Sequence, residues 1–166
     1  MSESFDLVDV DKLTVGAVGE PGRRVFVLQA RHASQIVTLK LEKSQTAALA
    51  AYLDRLLEDL PDPTLELPDD LDLEEPTEPE WVIGSLGVAY DEALDRLVLV
   101  AEEAVDGEEE GARARISATR EQVTALARRG TELVRSGRPP CPLCGYPLDP
   151  SGHACPRANG HRPPTL

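Results

Sequence analysis

The segment 61–80 reads PDPTLELPDDLDLEEPTEPE, and it constrains the chain more than any other stretch. It holds nine acids, five prolines and no basic residue. Proline lacks the backbone donor and clashes with the preceding turn, so no helix or central strand can run through it. Mutual repulsion of the carboxylates extends what remains. A solvated linker or exposed loop is therefore expected here, dividing the chain into an earlier and a later block. The formal net charge of the 166 residues is −13, and without these nine carboxylates it would be −4. Most of the net negative charge belongs to one segment. A negative chain is still a poor match for nucleic acid or an anionic membrane surface.

The blocks on either side share a pattern. Val15-Gly16-Ala17-Val18-Gly19 corresponds to Ile83-Gly84-Ser85-Leu86-Gly87. An arginine then precedes an apolar run, Arg24-Val25-Phe26-Val27-Leu28 in one block and Arg96-Leu97-Val98-Leu99-Val100 in the other. Alternation follows in both. Val37, Leu39 and Leu41 face away from Thr38 and Lys40, and Ala114 and Ile116 face away from Arg113, Arg115 and Ser117. A period of two marks a half-buried strand. Each block closes on a helical stripe, Leu49, Leu53, Leu56, Leu57 and Leu60 in the first and Val123, Leu126, Leu133 and Val134 in the second. Thr119 and Gln122 form a capping box. Gly130 weakens the second helix by roughly 1 kcal/mol relative to Ala. Glu20-Pro21-Gly22-Arg23 is a turn between the first two strands.

The expected fold class is α+β. Two divergent β-β-β-α repeats form one pseudo-symmetric domain, followed by a small C-terminal tail like a zinc knuckle. The expected boundaries are 1–60 for the first repeat, 61–80 for the linker, 81–136 for the second repeat and 137–166 for the tail. Each repeat alone leaves one sheet face bare, and pairing two buries it.

The tail carries the one chemical motif. It holds eight prolines, two of the three histidines and all three cysteines, Cys141, Cys144 and Cys155. An odd count in one cluster does not suit a secreted disulfide framework, but it suits a metal site in a reducing compartment. Cys141-Pro-Leu-Cys144-Gly145 places two thiolates three residues apart across a tight turn. Zinc (Zn²⁺) takes four such ligands tetrahedrally without redox chemistry. Cys155 supplies a third thiolate. His153 is the preferred fourth ligand, because Asp149-Pro150-Ser151-Gly152 turns the chain just before it, and His161 is the alternative. Four protein ligands imply a structural site, since a catalytic zinc keeps a position open for water.

Other chemistry is sparse. The sequence lacks the phosphate-loop, dinucleotide, nucleophile-elbow and HExxH motifs. Gly16 and Gly19 read as strand or turn glycines, His32 as a surface loop residue, and Trp81 and Phe26 as core aromatics. Aromatics make up only 4% of the chain, too few for a base-stacking platform. Arg24, Arg31 and Arg96 are candidate anion-binding residues if they converge between the repeats. No run approaches the roughly 20 apolar residues that span a bilayer. The acidic N-terminus lacks the features of a targeting peptide, so a cytoplasmic location is expected.

Four segments together resemble a known family: Val18-Gly-Glu-Pro-Gly-Arg-Arg-Val-Phe-Val-Leu-Gln-Ala-Arg31, Leu41-Glu-Lys-Ser-Gln45, Gly137-Arg-Pro-Pro-Cys-Pro-Leu-Cys-Gly145, and Leu148-Asp-Pro-Ser-Gly-His-Ala-Cys-Pro-Arg-Ala-Asn-Gly160. They are similar to the actinobacterial family called domain of unknown function 3090. The resemblance implies no established activity. It implies neighbours like a histidine phosphatase and a lipid kinase, and thus a protein partner in a shared pathway or complex. The family's tail runs from Asn-Gly into an aromatic, where this chain has His161. That departure favours Cys141, Cys144, His153 and Cys155 as the common ligand set.

The leading functional expectation is a non-catalytic binding or scaffold module with a structural zinc. The alternatives are a small-substrate enzyme using the arginines, and a single-strand nucleic-acid binder of Pur- or Whirly-like topology, which the acidity disfavours.

Overall fold

The computed structural model describes residues 2–20, 22–136 and 142–143. The architecture is α+β, with two sheets and two helices. A short strand β1 (Phe5–Leu7) comes first. Then β2 (Lys12–Val18), β3 (Val25–His32) and β4 (Gln35–Leu41) lead into α1 (Lys43–Glu58). After the acidic segment, β5 (Ile83–Asp91), β6 (Arg96–Glu103) and β7 (Arg113–Ala118) lead into α2 (Arg120–Arg135). Three antiparallel strands and a helix thus occur twice. The sheets have the orders β2-β3-β4 and β1-β7-β6-β5, with β1 parallel to β7. The turn expected at residues 20–23 is closed by the Arg23 amide donating to the Glu20 carbonyl at 2.9 Å, with Gly22 at φ +87°.

The sheets are stitched together at two corners. At one, the Val10 amide donates to Ser117 at the edge of β7, and the next amide, Asp11, donates to Arg31 of β3. At the other, the Lys40 amide of β4 donates to Trp81, while the Ala104 amide, just past β6, donates to Val82. Each corner changes its partner sheet within one residue. Backbone donors at the sheet ends are thereby satisfied rather than buried bare.

The inward faces follow the alternation in the sequence. Leu13, Val15, Leu28, Val37, Leu39 and Leu41 meet Leu97, Leu99, Ala114 and Ile116 in one core. Leu49 and Leu53 of α1, and Val123 and Leu126 of α2, complete it. The helices pack on each other where Gly130 faces Ala50, and a Cβ at Gly130 would sit 3.3 Å from the Ala50 Cβ. The glycine that weakens α2 locally therefore permits close helix approach.

The acidic segment has no helix or strand and is largely exposed, as its prolines and charges require, and its residues 70–76 form a strap docked on the outer face of β2-β3-β4. Thr14, Gln29 and Thr38 lie in register across the three strands, and all three are buried. Thr14 Oγ1 donates to the Leu71 carbonyl at 2.6 Å. Gln29 exchanges two hydrogen bonds with the Glu74 backbone, both 2.8 Å, and Thr38 Oγ1 donates to the Pro76 carbonyl at 3.1 Å. Leu73 fills the space above Gly16, where an added Cβ would come within 2.6 Å of it. Lys12 and Arg31, one row along, pair with Asp70 and Glu74 at 3.3 and 3.0 Å. Within the sheet Gln29 Nε2 also donates to Thr38 Oγ1 at 3.0 Å, but that bond leaves most of the ladder's polar atoms to be satisfied by the strap, because unpaired buried polar groups are costly.

Candidate functional site

β1, β2, β4 and β5 each have one neighbour in their sheet and so an edge to manage, and residues 80–81 bond to part of the β4 edge. An unpaired edge presents a row of free backbone donors and acceptors. α2 packs along β2. α1, by contrast, stands off β5 and leaves a groove of ≈ 410 Å³ between them.

The helix wall of this groove is Gln45, Ala48, Leu49, Tyr52 and Arg55, and the strand wall is Gly84, Ser85, Leu86 and Val88. The spacing 45, 48, 52, 55 is one helical face, so the wall is continuous. Gln45 closes one end. Its Nε2 donates to the Ile83 carbonyl at 3.2 Å, and its Oε1 accepts the Glu42 amide at 2.8 Å, capping α1. Gln122 does the same in the other half. Its Oε1 accepts the Thr119 amide at 2.9 Å, and its Nε2 donates to the Val10 carbonyl at 2.7 Å. Each helix cap is thus tied to one of the two sheet corners.

The chemistry of the groove is apolar with one charge. Tyr52 is 45% exposed, and Leu86 and Val88 are half-buried. Arg55 is exposed and is the only charged residue in the lining. None of the ion pairs among the described residues uses it.

The far end of β5 is held firmly. Tyr90 donates from its hydroxyl to Asp95 Oδ1 at 2.6 Å, and Arg120 grips both Asp95 oxygens at 3.1 and 3.2 Å. Arg120 also donates to the Pro61 and Asp62 carbonyls where the acidic segment begins. The Tyr90 hydroxyl and the Arg120 guanidinium hold the Asp95 carboxyl below the usual carboxylate range. The same contact pushes the Tyr90 phenol up.

Of the three arginines singled out from the sequence, Arg24 and Arg31 are placed apart. Arg24 immediately precedes β3 and Arg31 lies near its other end, a span of about 23 Å for seven extended residues. Arg31 pairs with Glu74, and Arg96 pairs with Asp9 at 2.8 Å on the other sheet. His32 ends β3 at an exposed position. Cys141, Cys144, His153, Cys155 and the alternative His161 lie outside the described residues. Among the described residues, no group of three or more His, Cys, Asp or Glu could hold a metal, and no helix is long and apolar enough to cross a membrane.

Sequence reasoning missed the groove. One signal was present. The ten residues Trp81–Tyr90 carry no charge in a chain that is 28% charged. Natural edge strands are usually guarded by charge, proline or a covering element.

Fold and groove together define an α+β protein in which α2 covers the β2 edge and the β5 edge lies beside a groove. The chain belongs to the family described as protein of unknown function (DUF3090), whose model matches residues 5–155. No curated protein and no solved structure matches it.

Proposed function

We propose that this protein is a non-catalytic binding module that docks an extended segment of a protein partner against β5. The open β5 edge, uncharged from Ile83 to Tyr90, beside the α1 groove carries this reading. Adding a strand to an exposed edge lets main-chain hydrogen bonds supply affinity while side-chain pockets supply selectivity. The phosphatase-like and lipid-kinase-like neighbours implied by the family resemblance are the first partners to test. A polyanionic partner is disfavoured, because the strap lays its carboxylates over the other sheet.

Two further parts belong to the same reading. The two β-β-β-α runs are a divergent duplication, supported by the matching roles of Gln45 and Gln122. The tail is folded by a structural zinc held by Cys141, Cys144, His153 and Cys155, supported by a donor set of three thiolates and an imidazole.

Panning a displayed library of octapeptides tests the binding reading. Ala48 is exposed on the groove wall, so Ala48→Phe fills the groove without entering the core. Peptides enriched on the native protein and lost on Ala48→Phe are expected. No enrichment, or enrichment indifferent to Ala48→Phe, contradicts it.

A further inference from the structure

Resting on that reading, we infer that the docked segment is an internal stretch of about five extended residues, with aliphatic side chains at alternate positions and an acidic side chain that meets Arg55. The length follows from the helix wall. Gln45 and Arg55 are ten residues apart on α1, about 15 Å at 1.5 Å per residue. An extended chain covers that span in four to five residues at about 3.3 Å each.

The alternation follows from the walls. A strand paired to β5 points every second side chain toward α1. Those side chains meet Ala48, Leu49, Tyr52, Leu86 and Val88, which offer apolar surface. Ala48 is the smallest residue of the helix wall and leaves room for a branched aliphatic side chain opposite it.

The acid follows from Arg55. In a chain with 30 acids and 17 bases, an arginine outside every ion pair among the described residues, and alone as the charge of a groove, complements a carboxylate. Guanidinium and carboxylate match through paired, charge-assisted hydrogen bonds. The carboxylate comes from a side chain rather than a chain end. β5 continues past the groove-lining Val88 to Asp91, so a partner strand can run on beyond the groove.

The test uses the full-length protein and octapeptides capped at both ends, taken from sequences enriched on it. Each is made with Glu, Gln or Lys at the position facing Arg55, and a fourth version ends there in a free carboxylate. Affinity is read by fluorescence anisotropy, and β5 amide protection by hydrogen exchange. The Glu peptide is expected to bind at least tenfold tighter than the Gln peptide. Arg55→Glu should reverse the order in favour of Lys. Equal binding of Glu and Gln peptides, with β5 still protected, overturns the acidic assignment and leaves the docking groove standing. Tight binding only of the free-carboxylate version overturns the internal segment. Absence of β5 protection with every peptide overturns both the partner chemistry and the groove.

Discussion

Gln122 donates from Nε2 to the Val10 carbonyl at 2.7 Å, while its Oε1 accepts the amide that starts its own helix. One side chain thereby caps α2 and pins the sheet corner where the chain passes from β7 to β3. Gln122→Ala leaves the Val10 carbonyl and the Thr119 amide without these partners. A loss of about 1–3 kcal/mol is expected, read as a lower urea midpoint. Gln45→Ala should lose less, because its contact to Ile83 is longer, at 3.2 Å.

The strap depends on the Thr14-Gln29-Thr38 ladder. Gln29→Leu removes two hydrogen bonds to Glu74 and strands the backbone that they satisfied. The expected result is faster proteolysis between residues 67 and 76, with a global loss of about 1–3 kcal/mol. Lys12→Ala should change stability by less than about 1 kcal/mol, because its partner Asp70 is largely exposed.

Strand and helix patterns were legible in the sequence wherever one face is buried. Ala114 and Ile116 turn inward, and Arg113 and Arg115 turn out, as their alternation requires. The Thr119–Gln122 box caps α2 as read. β1 was not legible, since three residues carry no period. The docking of the strap was not legible either. Its partners Thr14, Gln29 and Thr38 are 9 to 24 residues apart in sequence and become one ladder only when β2, β3 and β4 pair. The groove escaped for a related reason. It arises from the difference between α2 packed on β2 and α1 held off β5, a comparison that no single segment contains.

Acid should weaken the hold on the β5–β6 hairpin. The Asp95 carboxyl sits below its ordinary value of 3.8 in the folded chain. The unfolded chain binds that proton first, so the contribution is full above about pH 4 and is lost as pH falls through the folded value. Asp95→Asn should flatten part of the acid limb of a stability-versus-pH curve. Asp70 and Glu103, also lowered, should keep the remaining slope. In alkali, one tyrosine should titrate above the ordinary value of 10 and return toward it in Asp95→Ala.

Zinc removal should act on the tail alone. Under reducing conditions one zinc per chain is expected, and Cys141→Ser or Cys144→Ser should abolish it. The circular dichroism of the two sheets and helices should be unchanged, because the core among the described residues is assembled from side chains between Phe5 and Leu133. Full zinc occupancy in Cys141→Ser would rule out the ligand set. Full occupancy in His153→Ala, lost on adding His161→Ala, would move the fourth ligand to His161.

Hydrogen exchange along β5 tests the docking edge most directly. In the free protein, the outward amides between Gly84 and Asp91 should exchange at least tenfold faster than those of β2, which α2 covers. Saturation with an enriched peptide should slow the β5 amides and leave β2 unchanged. Equal protection of β5 and β2 in the free protein, or a bound peptide that leaves β5 exchange unaltered, would contradict β5 as the docking edge.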